Sequence, residues 1–455
     1  MAQKVLPSGR VRQAAKTENQ KAKVKRQKSK ISALGRGPSW EGIFAGWPQS
    51  KHWTRCGVSC DENSMTNRLI VNVVRTALAC ALTAAQAQTS GRLFSRIYGC
   101  EAAGNIANSM GDVTEGLSWR QIEQRWGLVD KLLPQDKTAR RRPQRFGPDW
   151  VYQAHHRPPG MGEDGFERHR LLTSAILKKG GRVTIEDLAR TWIEDIDPTK
   201  FGYLLGPQDQ VIYNLLKAGL PPWEVGRYAA WPGFIGTSKM IMPVGMVNAC
   251  RPDQAARDAL DLSRIKDVQG RPDNFALEVA GAIAAATAEA LRPAATVNSV
   301  IEAALAQLPS EPRKEVERGL GWARQAREWK DLRPLFEKAY EGRPISNAVE
   351  VLSGGLACFL AAGGRPREAI LYAVNLGRDT DCKGYVAGGL AGALRGIEAL
   401  PPDWVDTVEK QVVSDPYTAA RRTARQAAEG LYQACLAEMR RMQQAAAELQ
   451  SMAGQ

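Results

Sequence analysis

Two pairs of carboxylates have a spacing that could do chemistry. Asp379 and Asp381 flank Thr380 in Asn375-Leu376-Gly377-Arg378-Asp379-Thr380-Asp381-Cys382, just before the Gly/Ala-rich run 383–394. Glu163 and Asp164 are neighbours in Gly160-Met161-Gly162-Glu163-Asp164-Gly165, far upstream. If the fold brings the pairs together, the four acids make an oxygen-rich cage for a hard divalent cation, Mg²⁺ or Mn²⁺. Each pair also has a plainer use. An acid at a helix start caps free N–H groups and complements the helix dipole. The helix behind Asp379 and Asp381 tips the balance towards chemistry. Gly388, Gly389 and Gly392 each cost about 1 kcal/mol relative to alanine inside a helix. Such a helix persists where close packing demands small residues, and a tightly packed helix is a poor place for idle carboxylates.

The elements that must position these acids are helical. Phe166–Lys178 reads as a helix behind Glu163-Asp164, and the loop His155-His156-Arg157-Pro158-Pro159-Gly160 before it is too rigid to be one. Its two histidines read as loop residues, since neighbours in sequence rarely face one metal. Further helices are expected over 276–291, 296–308, 312–329, 346–362, 365–374 and 403–413, with a long final one over 417–452. Small residues over 98–111, then Asp112 and Glu115 on a Gly-rich loop, give another close-packed helix opening onto a loop. Alternating β-branched residues are nearly absent. The expected fold class is all-α: one large multi-helix domain over residues 92–435, with 436–455 as helix end and tail.

Bulk properties narrow the function. The chain has 455 residues, 44% hydrophobic and 24% charged, with a net charge of +14. Residues 1–64 hold 13 Lys and Arg against 4 Asp and Glu, so nine of those charges belong to this stretch. The remaining chain carries about +5, unremarkable for its length. Nucleic acid is therefore a disfavoured partner, confined to the reading that 1–64 is a basic arm. The plainer reading of 1–64 is a disordered extension, untranslated if Met65 is the start. From Met65 the segment 65–91 reads as signal-like or amphipathic, with an apolar stretch interrupted by Arg75 and an Ala85-Gln86-Ala87 cleavage pattern. Localisation stays open between cytoplasmic and exported. Eight scattered cysteines and four histidines form no zinc pattern. No stretch has the ~18 uninterrupted apolar residues of a membrane span.

In this order, the segments around Gly111–Glu115, Gly162-Glu163-Asp164 and Gly377–Cys382 resemble the ADP-ribosylglycohydrolase family, relatives of the dinitrogenase-reductase-activating glycohydrolase. The likeness extends through Pro243-Val244-Gly245 to Gly396–Pro401 and Trp404, about residues 92–415. It implies an all-helical hydrolase, a multi-helix orthogonal bundle around a central divalent-metal site with two cations, Mg²⁺ or else Mn²⁺, that cleaves the bond between ADP-ribose and a side chain or small molecule. Glu163, Asp164, Asp379 and Asp381 would hold metal. Glu115 and Glu163 would be the catalytic carboxylates that move the proton. Asn108, Gly377 and Arg378 would contact substrate, the last two offering N–H groups and a cation to the diphosphate. The partner would be an ADP-ribosylated protein or a small ADP-riboside, bound by a monomer. Three departures bear on this: Gly162 where a threonine hydroxyl is usual, Glu163 for Asp, and Cys382 for Thr or Ser. A thiol is a poor ligand for a hard cation. They leave open the second metal, and a catalytically reduced member that binds ADP-ribose-like ligands without turnover.

Overall fold

The computed structural model describes residues 91–136, 156–228, 231–268 and 274–454. The basic extension 1–64 and the signal-like stretch before residue 91 lie outside the described residues, as does His155. Seventeen α-helices are found among the described residues. The sole sheet among them is a two-residue antiparallel ladder, Gln135 opposite Arg157 and Asp136 opposite His156.

Helix starts follow local chemistry. Thr184 and Thr423 accept from the backbone N–H three residues on, and Asp187 and Gln426 reach back to complete reciprocal capping boxes. Pro207, Pro252, Pro366 and Pro402 open helices where a missing N–H costs nothing. The helices expected between 276 and 413 appear as Ala276–Ala290, Val297–Leu305, Ser310–Gln325, Ala348–Ala361, Pro366–Val374 and Pro402–Ser414. The last helix differs: it begins at Ala424, not 417. The buried Glu167 carboxylate accepts from Thr418 Oγ1 (2.7 Å) and the Ala419 N–H (2.5 Å), which pulls that stretch out as a loop. Among the described residues no helix is long and apolar enough to cross a membrane.

The core is built around Thr380–Arg395, whose residues from Thr380 to Leu394 are all buried. Ala348–Ala361 and Pro366–Val374 pack on it, and Ala276–Ala290 lies against it from another side. The first described helix, residues 91–112, meets it glycine to glycine. A Cβ on Gly392 would come within 2.1 Å of the Gly99 carbonyl oxygen, and one on Gly99 within 2.6 Å of the Gly392 oxygen. The glycines that weaken this helix alone thus let two backbones touch, and dispersion along the seam offsets their cost. Glu163 caps the next important helix, Asp164–Lys179. His169 on that helix ties it to the core: its ring nitrogens lie 2.7 Å from Glu101 Oε1 and 2.8 Å from the Tyr385 hydroxyl.

Candidate active site and metal centre

Asp379 is the N-cap of Thr380–Arg395, and its Oδ1 accepts from the Cys382 N–H at 3.3 Å. The turn before it needs positive φ twice, at Gly377 (95°) and Arg378 (64°). Glycine takes that conformation freely, whereas arginine must be held there. It is held by backbone and side chain together. The Arg378 N–H donates to the Leu117 carbonyl (2.7 Å), and its own carbonyl accepts from Gly116 (2.8 Å). Its guanidinium donates twice to the fully buried Glu350, which also accepts from Lys383 Nζ at 2.8 Å. The two bonds to residues 116–117 strap the Glu115 loop onto the Asp379 turn. Thr380 Oγ1 donates to the Gly111 carbonyl (2.9 Å), and Thr114 Oγ1 lies 2.9 Å from Thr380 Oγ1 and 2.7 Å from the Val374 carbonyl.

Glu163 approaches from the other side. Its Oε1 accepts from the Gly165 N–H (2.9 Å) and from Asn108 Nδ2 (2.7 Å), while its N–H donates to Asn108 Oδ1 (2.9 Å). The two acidic segments meet at Lys239, whose ammonium pairs with both Glu163 Oε1 and Asp381 Oδ2. Asp164 turns outward and pairs with Arg168. Arg168 is in turn held by the buried Asp209, through Nε and Nη2, each at 2.8 Å. Lys266 Nζ completes that group 2.9 Å from Asp209 Oδ1. Arg157, just ahead of Glu163, pairs with the buried Asp112 at 2.8 Å.

Charge and burial set the protonation pattern. Burial would raise the Glu163 carboxyl, but the Lys239 ammonium and a hydrogen bond with Asp164 together outweigh it and bring the group down to about 2. Asp381 goes the other way. Burial lifts it well above the usual carboxylate range, helped by Asp379, Glu115 and Glu163 and opposed by Lys239. One ammonium among several acids favours the charged form of the acid it pairs with, while burial and the neighbouring acids disfavour the charged form of another. Burial also pushes the Cys382 thiol well up, and Asp379 and Asp381 add to the effect.

The donors fit one hard cation. The Asp379, Asp381 and Cys382 ligand atoms lie within 4.8 Å of one another. Asp379 Oδ2 and Asp381 Oδ1 are buried without a hydrogen-bond partner, an expensive state that a cation would relieve. A thiol this hard to ionise adds little for such an ion. A second cation between Glu163 and Asp381 does not fit, because the Lys239 ammonium already lies there.

The structure therefore places the expected residues as follows. Asp379 and Asp381 share one buried group, Glu163 joins them through Lys239, and Asp164 is engaged by Arg168. Glu115 is half-buried on the strapped loop, and its charge acts on Glu163, Asp381 and Arg157. Asn108 is fully buried and bonded to Glu163 at both ends of its amide. Gly377 and Arg378 form the wall of the turn, with the guanidinium committed to Glu350. Lys239 is the residue that sequence reasoning missed. It is the lone charge between Arg227 and Arg251, and a single lysine in so long an uncharged stretch is a sign of burial.

A helical body whose buried carboxylates keep oxygens without partners defines a class of protein, a helical scaffold around an acidic centre. The sequence model of the ADP-ribosylglycohydrolase family matches residues 89–441, and the chain belongs to that family. It is similar to the ADP-ribosylarginine hydrolase Tri1 of Pseudomonas putida (strain GB-1), with 51% identity over 41 residues. That match spans 9% of this chain and only 11% of the relative's length. A solved ADP-ribosylglycohydrolase-related protein complex shares 23% identity at a TM-score of 0.48, over 76% of this chain and 99% of that one.

Proposed function

We propose that the protein is a metal-dependent hydrolase of the glycosidic bond in an ADP-ribosylated side chain, with ADP-ribosyl-arginine the first substrate to test. The observation that carries this reading is the pair of orphaned buried oxygens on Asp379 and Asp381, beside Glu163 and the Glu115 loop. The arginine linkage comes from the name of the short-matching relative.

Asp379 and Asp381 would hold the ion, Mg²⁺ or Mn²⁺, and a bound cation would orient ribose hydroxyls and offset charge on oxygen. Glu115, on a loop fixed to the Asp379 turn, takes a proton from the attacking water. Water adds at the anomeric carbon, the bond to the leaving nitrogen breaks, and the proton that Glu115 took from the water passes to that nitrogen. Carboxylates around the anomeric carbon favour the positive charge that develops there. Asn108 orients Glu163 from beneath, and the Gly377–Arg378 backbone shapes the wall facing the diphosphate.

Release of ADP-ribose from ADP-ribosyl-arginine, ADP-ribosyl-serine and free ADP-ribosides, with and without Mg²⁺, tests the reading. Metal-stimulated release that disappears in Asp379→Asn and Asp381→Asn is expected. Full activity in both variants would remove these acids from the reaction. The neutral Cys382 thiol among the donors favours one alternative, a member that binds without turnover. Saturable ADP-ribose binding with no product from any substrate would mark it.

A further inference from the structure

We infer that Lys239 is a resident cation in place of one of the two divalent ions, so that this centre binds one divalent ion and not two. The inference rests on the metal-dependent reading above and deepens it. Four observations carry it.

The first is position. The Lys239 ammonium bridges Glu163 and Asp381, the two acids that a second ion would have to share, and its side chain is 3% exposed. The second is a prepared path. A Cβ on Gly165 would lie 1.9 Å from Lys239 Cδ and 2.2 Å from Cε, so the missing side chain at 165 is the channel through which the lysine passes. The third is the donor set. Gly162 offers no side-chain oxygen beside Glu163, and a Cβ there would already crowd Asn108 Oδ1 and Phe166 Cβ, both at 3.3 Å. Asp379 Oδ2 and Asp381 Oδ1 are buried without partners, whereas the orphaned oxygen near Gly162 is the neutral amide Oδ1 of Asn105. Asp381 gives Oδ2 to Lys239, and its Oδ1 would hold the ion.

The fourth is charge. Glu163, Asp379 and Asp381 carry three negative charges when ionised, and Lys239 cancels one. A single divalent ion neutralises the remainder. A second would turn the buried centre net positive even with the Glu115 carboxylate counted, a state that desolvation opposes.

Mn²⁺ stoichiometry by metal analysis of the desalted full chain, read beside its EPR spectrum, tests this. The wild type is expected to hold one Mn²⁺ with the hyperfine-split signal of an isolated ion. Lys239→Gln should hold two, with the broadened signal of a coupled pair. Gly165→Ala closes the channel at little cost to its helix and should also gain the second ion, which keeps the test open if Lys239→Gln does not fold. Two ions in the wild type, or one in both variants, would overturn the inference. The hydrolase reading fails separately: a chain that holds one Mn²⁺ yet releases no ADP-ribose from any substrate overturns that reading and leaves the lysine's role standing.

Discussion

Gly111→Ala tests how closely the site depends on helix packing. Gly111 lies in the last turn of the helix 91–112, and a Cβ there would come 2.4 Å from Asp381 Cα, 2.6 Å from its N and 2.8 Å from the Thr380 carbonyl carbon. These are backbone atoms at the mouth of a buried helix and cannot rotate aside. Carbon atoms prefer about 3.5–4.0 Å, so the two helix ends must part by roughly 1 Å. The Thr380-to-Gly111 bond resists that movement. Overpacking of this kind costs about 1–3 kcal/mol, and the gain in helix propensity returns up to ~1 kcal/mol. A net loss of ~1–2 kcal/mol corresponds to a fall of a few degrees in Tm for a chain of this size. Turnover should suffer more, because a displacement of about 1 Å in a catalytic centre is worth on the order of a hundredfold. Gly321→Ala is the matched control. It is also a helical glycine, within Ser310–Gln325, but nothing lies within 4 Å of a Cβ placed there. That change should stabilise by about 0.5–1 kcal/mol with turnover intact. Thermal melts and product release on both variants decide the matter. A Gly111→Ala protein that melts with the wild type and turns over normally would refute the packing argument.

Three further perturbations separate positioning from chemistry. Glu115→Gln should lose product release while its Tm stays near that of the wild type; retained turnover would remove Glu115 from the mechanism. Glu350→Gln removes the buried negative charge that Arg378 and Lys383 share and should cost on the order of 3 kcal/mol, with activity falling as the Gly377–Arg378 turn loosens. An unchanged melt would show that the turn is held by its backbone alone. Away from the site, Asp258 accepts from Arg182 at 2.6 and 2.7 Å and from Asn248 and Gln254 at 2.8 Å each. Burial would raise its carboxyl, but these bonds outweigh burial and lower it. A group depressed in the folded state stabilises above its unfolded value of ~3.9, and that stability is lost as pH falls through the folded value. The Tm gap between wild type and Asp258→Asn should therefore be full at neutral pH and close below about pH 4. A constant gap across that range would contradict the assignment.

Much of the helical frame was legible in the sequence, because caps and prolines act locally. The prolines at 366 and 402 mark starts without help from distant residues, whereas the starts after Thr184 and Thr423 and at Pro207 and Pro252 carry the same local signals but were not read. The start of the last helix was misplaced because Glu167, far away in sequence, holds Thr418 and Ala419 off the helical path. Gly388 and Gly392 announced a close approach, but what they approach was invisible until the helix 91–112 was seen against them. Gly388 meets the Ala103 carbonyl and Ile370, and Gly392 meets Gly99.

The acids show why capping and binding are poor rivals as explanations. Both readings of Asp379 and Glu163 hold at once in the structure, because a carboxylate has two oxygens and more acceptor capacity than one cap uses. Asp379 caps Cys382 with Oδ1 and keeps Oδ2 without a partner. Glu163 caps Gly165 with the same oxygen that faces Lys239. The cap fixes the rotamer, and the fixed rotamer aims the remaining capacity. Sequence can supply the acid and the helix start, but not the third body. Lys239 lies on a separate turn and reaches the acids through the space left by Gly165. A lone lysine in an uncharged stretch and a glycine beside two acids are each unremarkable alone. Only their meeting changes the chemistry, from a cage awaiting two ions to a centre that carries one of its positive charges in the chain.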